Sequence, residues 1–206
     1  MSTKIIPLTG VAYLPFVDQQ SFLLSELKDR FNITSNYKAY GDLLYYADDN
    51  LKKLQVPYFC RTAMLNPFLL TFDSIGEAAS ELKKIQRNWA PYQYTCFRRA
   101  QLVQEKLPYI NLKDRKFPVT IPQSPIGLYT LIDEHTIIAS AETSSFLPAG
   151  LLPFVEDHEN PPSRAYLKIQ ESLTMANLLD ETAGPINEKG RDINVIDKKI
   201  PVTTGF

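Results

Sequence analysis

The chain has 206 residues, of which 44% are hydrophobic and 22% charged, a composition typical of a globular protein that can bury a core. Its formal net charge of −1 gives the chain as a whole no bias towards nucleic acid or membrane partners. Two widely separated cysteines, Cys60 and Cys96, exclude a disulfide framework, and no apolar run approaches the roughly 20 residues that span a bilayer. We therefore expect a cytoplasmic protein without a membrane partner.

The N-terminal part of the chain predicts strands and one helix. Residues 11–16 are apolar and of strand length, and a helical pattern begins at Asp18. Apolar, aromatic runs at residues 43–47 and 67–72, each next to turn residues, predict two further strands. The helix has four apolar residues at the spacing of a buried face: Phe22, Leu23, Leu27 and Phe31.

Two more helices are predicted in the middle of the chain. Ser74 followed by Glu77 is a capping-box pattern, so we expect a helix from this point to about Arg87. Residues 98–107 have the periodicity of another helix, with Pro108 immediately after it.

The remaining pattern determines the expected fold class. Residues 127–133 and 135–141 predict a β-hairpin. Because strands and helices mix without a regular β–α–β rhythm, we expect an α+β fold with mostly antiparallel or mixed sheets and packed helices. We divide the chain into two α+β subdomains, one helical segment and a loose tail: residues 1–87, 88–158, 159–179 and 180–206.

Charge is distributed unevenly along the chain. The segment from Lys83 to Lys116 has nine basic and two acidic residues, a net charge of +7, whereas residues 117–163 contain no Lys or Arg. Aromatic residues interleave with these cations, and single-stranded RNA is bound by cations on phosphates and flat rings on bases. A solvated helix face with core aromatics is the alternative. The predicted RNA-binding residues here are Arg87, Trp89, Arg98, Arg99, Lys106, Lys113, Arg115 and Lys116.

Motifs for other chemistry are missing. His135 and His158 lack the spacing of a metal site or a catalytic triad, so we expect no metal. The glycines form no phosphate-binding loop. Cys60 beside Arg61 could be an activated thiol, but a buried cysteine at a strand end is favoured.

The segment "PPSRAYLKIQESL", residues 161–173, predicts a helix that reaches about Leu178 or Leu179. Asn160 can cap this helix, with Pro161 at its first position. The spacing places three charged residues on one stripe and four apolar residues on a face that can pack. The charged residues are Arg164, Lys168 and Glu171, and the apolar ones are Ala165, Ile169, Leu173 and Ala176.

This segment resembles the start of the catalytic domain in FtsJ/RrmJ-like ribosomal RNA 2′-O-methyltransferases, where a Ser-Arg-x-x-x-Lys-Leu-x-Glu pattern precedes the S-adenosylmethionine fold. Further upstream, "QRNWAPY", "CFRRAQLVQEKLP", "PIGLYTLID" and "FVEDHENPPSRAYLK" resemble a bacterial branch of that family. In that branch, a THUMP-like, ferredoxin-like RNA-binding region precedes the methyltransferase. The resemblance covers roughly residues 80–178.

The resemblance implies roles for individual residues. Lys168 matches the first lysine of the family's catalytic Lys-Asp-Lys-Glu tetrad, which would orient and deprotonate the ribose 2′-hydroxyl. Arg164 would hold an RNA phosphate, and Glu171 would orient Lys168. The implied partner is ribosomal RNA rather than DNA.

The sequence departs from the family after this helix. A glycine-rich loop should follow within about twenty residues and bind the cofactor through backbone N–H groups, but Gly184, Gly190 and Gly205 do not have its spacing. A nucleotide-binding domain needs on the order of 100 residues, and 28 follow Leu178. We therefore expect the Rossmann-like domain to be missing, and this chain alone neither to bind S-adenosylmethionine nor to transfer methyl groups.

Two hypotheses from different functional classes remain open. In the first, the chain is the RNA-binding N-terminal region of an S-adenosylmethionine-dependent ribosomal RNA methyltransferase. One form of this hypothesis has the catalytic domain acting in trans. In the second, it is a stand-alone adaptor, and the Lys168 stripe is ordinary surface.

Overall fold

The computed structural model describes residues 3–159 and 163–179, with side chains up to residue 176. These residues form the predicted α+β fold, in which helices pack on one mixed and one antiparallel sheet. They divide into two compact units. The first unit comprises the residues up to Leu112 and Gln123–Leu151, and the second comprises Lys113–Pro122 and the residues from Leu152 onward.

The strands of the described residues all lie in the first unit, together with three α-helices. The strands are β1 (Lys4–Pro7), β2 (Val11–Pro15), β3 (Lys38–Tyr40), β4 (Leu43–Tyr46), β5 (Cys60–Met64), β6 (Phe68–Thr71), β7 (Trp89–Pro91), β8 (Gly127–Leu131) and β9 (Thr136–Ser140). The helices are α1 (Gln20–Asp29), α2 (Ile75–Ile85) and α3 (Phe97–Lys106), and α4 (Ala165–Leu179) belongs to the second unit.

The strands form two sheets. One has five strands in the order β1-β6-β9-β8-β7, antiparallel except for the β7–β8 pair. The other has four antiparallel strands in the order β3-β4-β2-β5. Because β1 and β6 of the five-stranded sheet precede residue 87 and its other strands follow it, the predicted boundary between residues 1–87 and 88–158 runs through one sheet and does not separate two structural units.

The first unit has four layers. Helices α2 and α3 cover one face of the five-stranded sheet, whose other face packs on the four-stranded sheet, and α1 covers the far side of that second sheet. Strand β8 is buried along its whole length because it lies between two layers. Leu82, Val103 and Tyr129 are buried between the helices α2 and α3 and the five-stranded sheet. Leu14, Leu128 and Ile138 are buried between the two sheets. Tyr13, Leu23 and Leu27 are buried between the four-stranded sheet and α1.

Local sequence signals explain two of these elements. Ser74 Oγ accepts a hydrogen bond from the Glu77 N–H, and the Glu77 carboxylate accepts one from the Ser74 N–H, so the predicted capping box is confirmed at the start of α2. The predicted hairpin is confirmed as the antiparallel β8–β9 pair, in which Leu128 lies opposite Ser140.

A buried carboxylate ties α1 to the segment before β5. Glu26 accepts hydrogen bonds from the backbone N–H groups of Tyr58 and Phe59, at 3.0 and 3.1 Å, and from Arg30 Nη1 at 2.8 Å. Burial on its own would raise the pKa of Glu26, but these donors together lower it below its usual value. The ionised form of Glu26 therefore stabilises this corner of the fold.

The second unit is built around an extended pairing. Arg115 pairs with Phe154 in a parallel bridge: the Arg115 N–H donates to the Pro153 carbonyl oxygen and the Val155 N–H donates to that of Arg115, both at 2.9 Å. The Tyr166 hydroxyl at the start of α4 accepts a hydrogen bond from the Asp157 N–H at 2.5 Å.

Helix α4 confirms that the quoted segment is helical, with one difference. The helix begins at Ala165, whereas the predicted cap Asn160 and Pro161 lie outside the described residues, as does the tail from residue 180. The apolar face that was expected to pack is only partly covered, since Ala165 and Ile169 are exposed, Ile169 at 60%, whereas Leu173 and Ala176 are half-buried. Thr174, on the opposite side, is buried and its hydroxyl donates to the Gln170 carbonyl. No helix within residues 3–159 and 163–179 is long and apolar enough to cross a membrane.

The capping box predicts a measurable loss of stability for Ser74→Ala. Removing the side-chain acceptor should lower the free energy of unfolding by about 1 kcal/mol, measured by urea denaturation. Ser80→Ala, at an exposed position inside the same helix, is the matched control and should be neutral or slightly stabilising. Equal effects of the two substitutions would show that the cap contributes nothing.

The Glu26 network predicts a pH-dependent effect of Glu26→Gln. A carboxylate whose folded pKa is lowered stabilises the protein above its unfolded pKa, roughly 4.3, and loses this effect as the pH falls through the folded pKa. We therefore expect the variant to lose about 2 kcal/mol of unfolding free energy at pH 7, with the deficit shrinking below pH ~4. Glu134→Gln, in an exposed turn, is the control; a deficit independent of pH would contradict this explanation.

Candidate nucleic-acid interface

Helix α3 presents one side to the core and the other to solvent. Ala100 and Val103 are buried on the five-stranded sheet, and the Tyr129 hydroxyl donates to Gln104 Oε1 at 2.9 Å. The helix follows Cys96, which has a φ of 49° and makes no side-chain cap. Its first turn therefore has no acidic or capping group and instead contains Arg98 and Arg99, although cations at a helix N-terminus oppose the helix dipole.

Helix α2 packs beside α3 in the same layer and adds further cations near its end. We call the outward side of these two helices, with Arg87 just after α2, the α2–α3 surface. Among the described residues, only Lys84 of its cations forms a salt bridge, with Glu81 at 2.6 Å. The cations that form none within the described part of the chain are Lys83, Arg87, Arg98, Arg99 and Lys106.

The acidic residues of the two helices have local partners. Glu77 belongs to the capping box, Glu81 binds Lys84, and Glu105 Oε1 accepts a hydrogen bond from Gln101 at 3.1 Å. The carboxylates of the α2–α3 surface are therefore each held in a local contact, whereas most of its cations are available to an external anion.

Arg99 differs from its neighbours in its environment. Its guanidinium carbon lies 5.5 Å from the centre of the Phe72 ring, and its Nε atom is buried without a hydrogen-bond partner. Arg99 is half-buried, whereas Arg87, Arg98 and Lys106 are exposed. Arg98 and Lys106 are thus better placed than Arg99 to contact a phosphate.

Trp89 does not belong to this surface. The residue is fully buried in β7, and its Nε1–H lies within hydrogen-bond distance of the carbonyl oxygens of Leu82 and Gln86, at 2.9 and 3.0 Å. A base could not reach its ring without opening the core, so the prediction that Trp89 binds RNA is corrected. Within the basic segment, two aromatic residues are largely exposed: Phe97 at 60% and Tyr109 at 78%.

The basic segment is divided between the two units. Lys113, Arg115 and Lys116 belong to the second unit, so the nine cations do not all lie on the α2–α3 surface. Lys113 and Lys116 are exposed, whereas Arg115 is half-buried with its backbone in the bridge to Phe154. In the sequence these cations form one continuous basic segment, which did not predict that they belong to two units.

Lys168 of α4 and Arg164, which directly precedes this helix, are both exposed to solvent. Among the described residues, Lys168 forms no ion pair, and the expected contact with Glu171 is not made. Arg164 is ion-paired with Glu156, which also lies 3.9 Å from His158 Nδ1. This pairing reduces the charge that Arg164 can offer to a phosphate, whereas Lys168 remains accessible.

A shallow depression of about 500 Å³ lies beside α4 in the second unit. Its lining includes no glycine, so it offers no backbone cradle of the kind that holds the methionine part of S-adenosylmethionine. This depression therefore does not fit the cofactor. The lining residues are Lys116, Phe117, Val155, Glu156, Asp157, Tyr166 and Gln170.

Two other residues considered for catalysis or metal binding, Cys60 and His135, lie in environments that favour a structural role. Burial raises the pKa of Cys60 to about 12, so this thiol stays protonated at neutral pH and is not an activated nucleophile. His135 Nδ1 lies 3.1 Å from the Phe72 carbonyl oxygen. Within the described residues, no group of three or more His, Cys, Asp or Glu side chains could hold a metal ion.

No protein-family model matches the chain, and no curated protein matches it. The resemblance to FtsJ/RrmJ-like methyltransferases therefore rests on the quoted residues.

Proposed function

We propose that the chain binds RNA through the α2–α3 surface, as the RNA-binding part of an S-adenosylmethionine-dependent ribosomal RNA 2′-O-methyltransferase. The observation that supports this most directly is the imbalance on that surface, where five of the six cations form no salt bridge within the described residues and the carboxylates are held locally. Cations held close together repel one another, and binding of a polyanion relieves this repulsion. The polyanion also releases its own bound counterions, which favours binding.

Exposed aromatic residues point to RNA with unpaired bases. Phe97 begins α3 and Tyr109 follows it, and both rings are largely accessible to solvent. Accessible rings stack on unpaired bases, whereas bases inside a duplex are already stacked on their neighbours. Cations beside such rings suit a structured RNA with a loop or bulge better than a continuous duplex.

The methyltransferase part of the proposal depends on the resemblance and on the accessibility of Lys168. A catalytic lysine must reach a ribose, and Lys168 is exposed on a formed helix. Since the depression beside α4 does not fit S-adenosylmethionine, we propose that a methyltransferase domain acting in trans supplies the cofactor.

A second candidate function is that of an adaptor for another protein. It is favoured by the exposed Ile169 on α4, because an apolar side chain beside accessible charges is common at protein interfaces. An adaptor of this kind would use α4 and would not need the cations of α2 and α3, so RNA-binding measurements distinguish the two functions.

The RNA proposal predicts that Arg98→Ala/Lys106→Ala weakens binding to a labelled stem–loop RNA. Each lost phosphate contact should reduce the slope of log affinity against log salt by roughly 0.7–0.9, so the pair should reduce it by about 1.5. The control is Lys28→Ala/Lys53→Ala, which removes two exposed cations outside the α2–α3 surface. No binding at low salt, or equal binding by both double variants, would refute the proposal.

The lack of fit between the depression beside α4 and S-adenosylmethionine predicts that the cofactor produces neither heat in calorimetry nor a thermal shift with this chain. Backbone N–H groups of a glycine-rich loop normally bind this cofactor, and the lining of the depression beside α4 contains no glycine. A micromolar dissociation constant would show that residues other than those of the depression form a cofactor site.

A further inference from the structure

A second group of residues in the first unit combines an unpaired cation with aromatic rings. Arg61 is the second residue of β5, an edge strand of the four-stranded sheet, and Tyr92 and Tyr94 follow β7, an edge strand of the five-stranded sheet. The guanidinium carbon of Arg61 lies 5.9 Å from the centre of the Tyr92 ring. The Tyr92 and Tyr94 rings are stacked, with centres 6.0 Å apart and planes inclined by 20°. We call these three residues the Arg61 cluster.

The cation of this cluster lacks a partner among the described residues. Arg61 Nε is buried without a hydrogen bond, and no salt bridge involves the guanidinium. A buried donor without a partner costs on the order of 1–3 kcal/mol, and such a group in a folded protein calls for an explanation. Burial also lowers the pKa of Arg61, although the charges of Tyr92 and Asp42 partly offset this effect.

The nearby acidic residue, Asp42, is hydrogen-bonded to Tyr92. The Asp42 N–H donates to the Tyr92 hydroxyl oxygen at 2.7 Å, and that hydroxyl lies 3.3 Å from Asp42 Oδ2. Asp42 thus fixes the Tyr92 ring and forms no ion pair with Arg61. A cation beside the Tyr92 ring, which itself stacks on Tyr94, can accept an anion that also carries a flat ring.

Two turns hold the cluster in place. Gly41 has a φ of +62°, and a Cβ there would lie 2.6 Å from Tyr94 Cβ and 2.7 Å from the Tyr92 hydroxyl. Gly150 has a φ of +71°, and a Cβ there would lie 2.2 Å from the Arg61 carbonyl oxygen. The backbone of both turns therefore contacts the cluster directly, and a geometry fixed before binding reduces the entropy that a ligand would lose.

We propose that the Arg61 cluster binds one unpaired nucleotide, with the phosphate on Arg61 and the base stacked on the tyrosine pair. Guanidinium groups bind phosphate through two parallel hydrogen bonds, and tyrosine rings stack on bases of any sequence. Because Arg61 Nε is enclosed, its two terminal nitrogens are the donors for the phosphate. The proposal rests on the proposed RNA-binding function for the source of the nucleotide, which would be a loop of the same RNA.

The composition of the cluster predicts a ligand preference. The Asp42 carboxylate lies close enough to oppose a bare phosphate, so stacking must contribute to binding. Adenosine 5′-monophosphate should therefore bind at least tenfold more tightly than either inorganic phosphate or adenosine. All three are titrated into the ¹⁵N-labelled wild-type chain, and the backbone resonances of residues 61, 92 and 94 are followed by NMR.

Two variants separate this site from the α2–α3 surface. Arg61→Gln should weaken binding of adenosine 5′-monophosphate at least tenfold and leave binding to a fully paired RNA duplex within twofold of the wild type. Arg87→Gln, which removes an exposed arginine outside the cluster, should leave nucleotide binding unchanged and weaken duplex binding. If Arg61→Gln fails to fold, Arg61→Lys keeps the charge without the two-pronged geometry and should weaken nucleotide binding severalfold.

The possible results distinguish failure of the nucleotide site from failure of the proposed function. Unchanged nucleotide affinity in the Arg61 variants, or wild-type resonance shifts confined to α2 and α3, would overturn the nucleotide site. Nucleotide binding at residues 61, 92 and 94 in a chain that binds no structured RNA would support the site and refute the proposed function.

Discussion

Burial of both faces of the five-stranded sheet determines the arrangement of the first unit. Strand β8 has no exposed residue, because α2 and α3 cover one side of the sheet and the four-stranded sheet covers the other. Helices that cover a sheet in this way must direct their apolar sides inward, and α3 does so with Ala100 and Val103. Their polar sides then form a continuous outer layer, and this is how residues from two separate helices come to share one charged surface.

Sequence patterns predicted the elements that depend on neighbouring residues. The capping box of Ser74 and Glu77 and the alternation around the β8–β9 turn are local signals, and both led to correct elements. Strands β1, β3, β5 and β7 were not predicted. They are three to five residues long and lie at sheet edges, where pairing with distant strands matters more than the pattern within the strand. The pairing of Lys4 with Thr71 is an example, since no short window contains both residues.

The candidate site was predicted only in part for the same reason. Composition located the cations correctly along the chain, but it could not show that Trp89 lies in the core or that Lys113 belongs to the second unit. The sequence does not relate Arg61 to Tyr92, because these residues are far apart in the chain and come together only in the fold. A signal in the sequence would have been the glycines at 41 and 150, whose positive φ angles allow turns to approach these side chains closely.

The burial of Trp89 has a practical consequence. It is the only tryptophan of the chain, and its indole N–H lies against carbonyl oxygens at the end of α2. Its fluorescence therefore reports on the interior of the first unit alone: emission should shift to longer wavelength when water enters that interior. Ligands that stack on Phe97 or Tyr109 at the outside would leave the emission maximum in place, so the protein carries an intrinsic optical probe that separates loss of structure from occupancy of its surface.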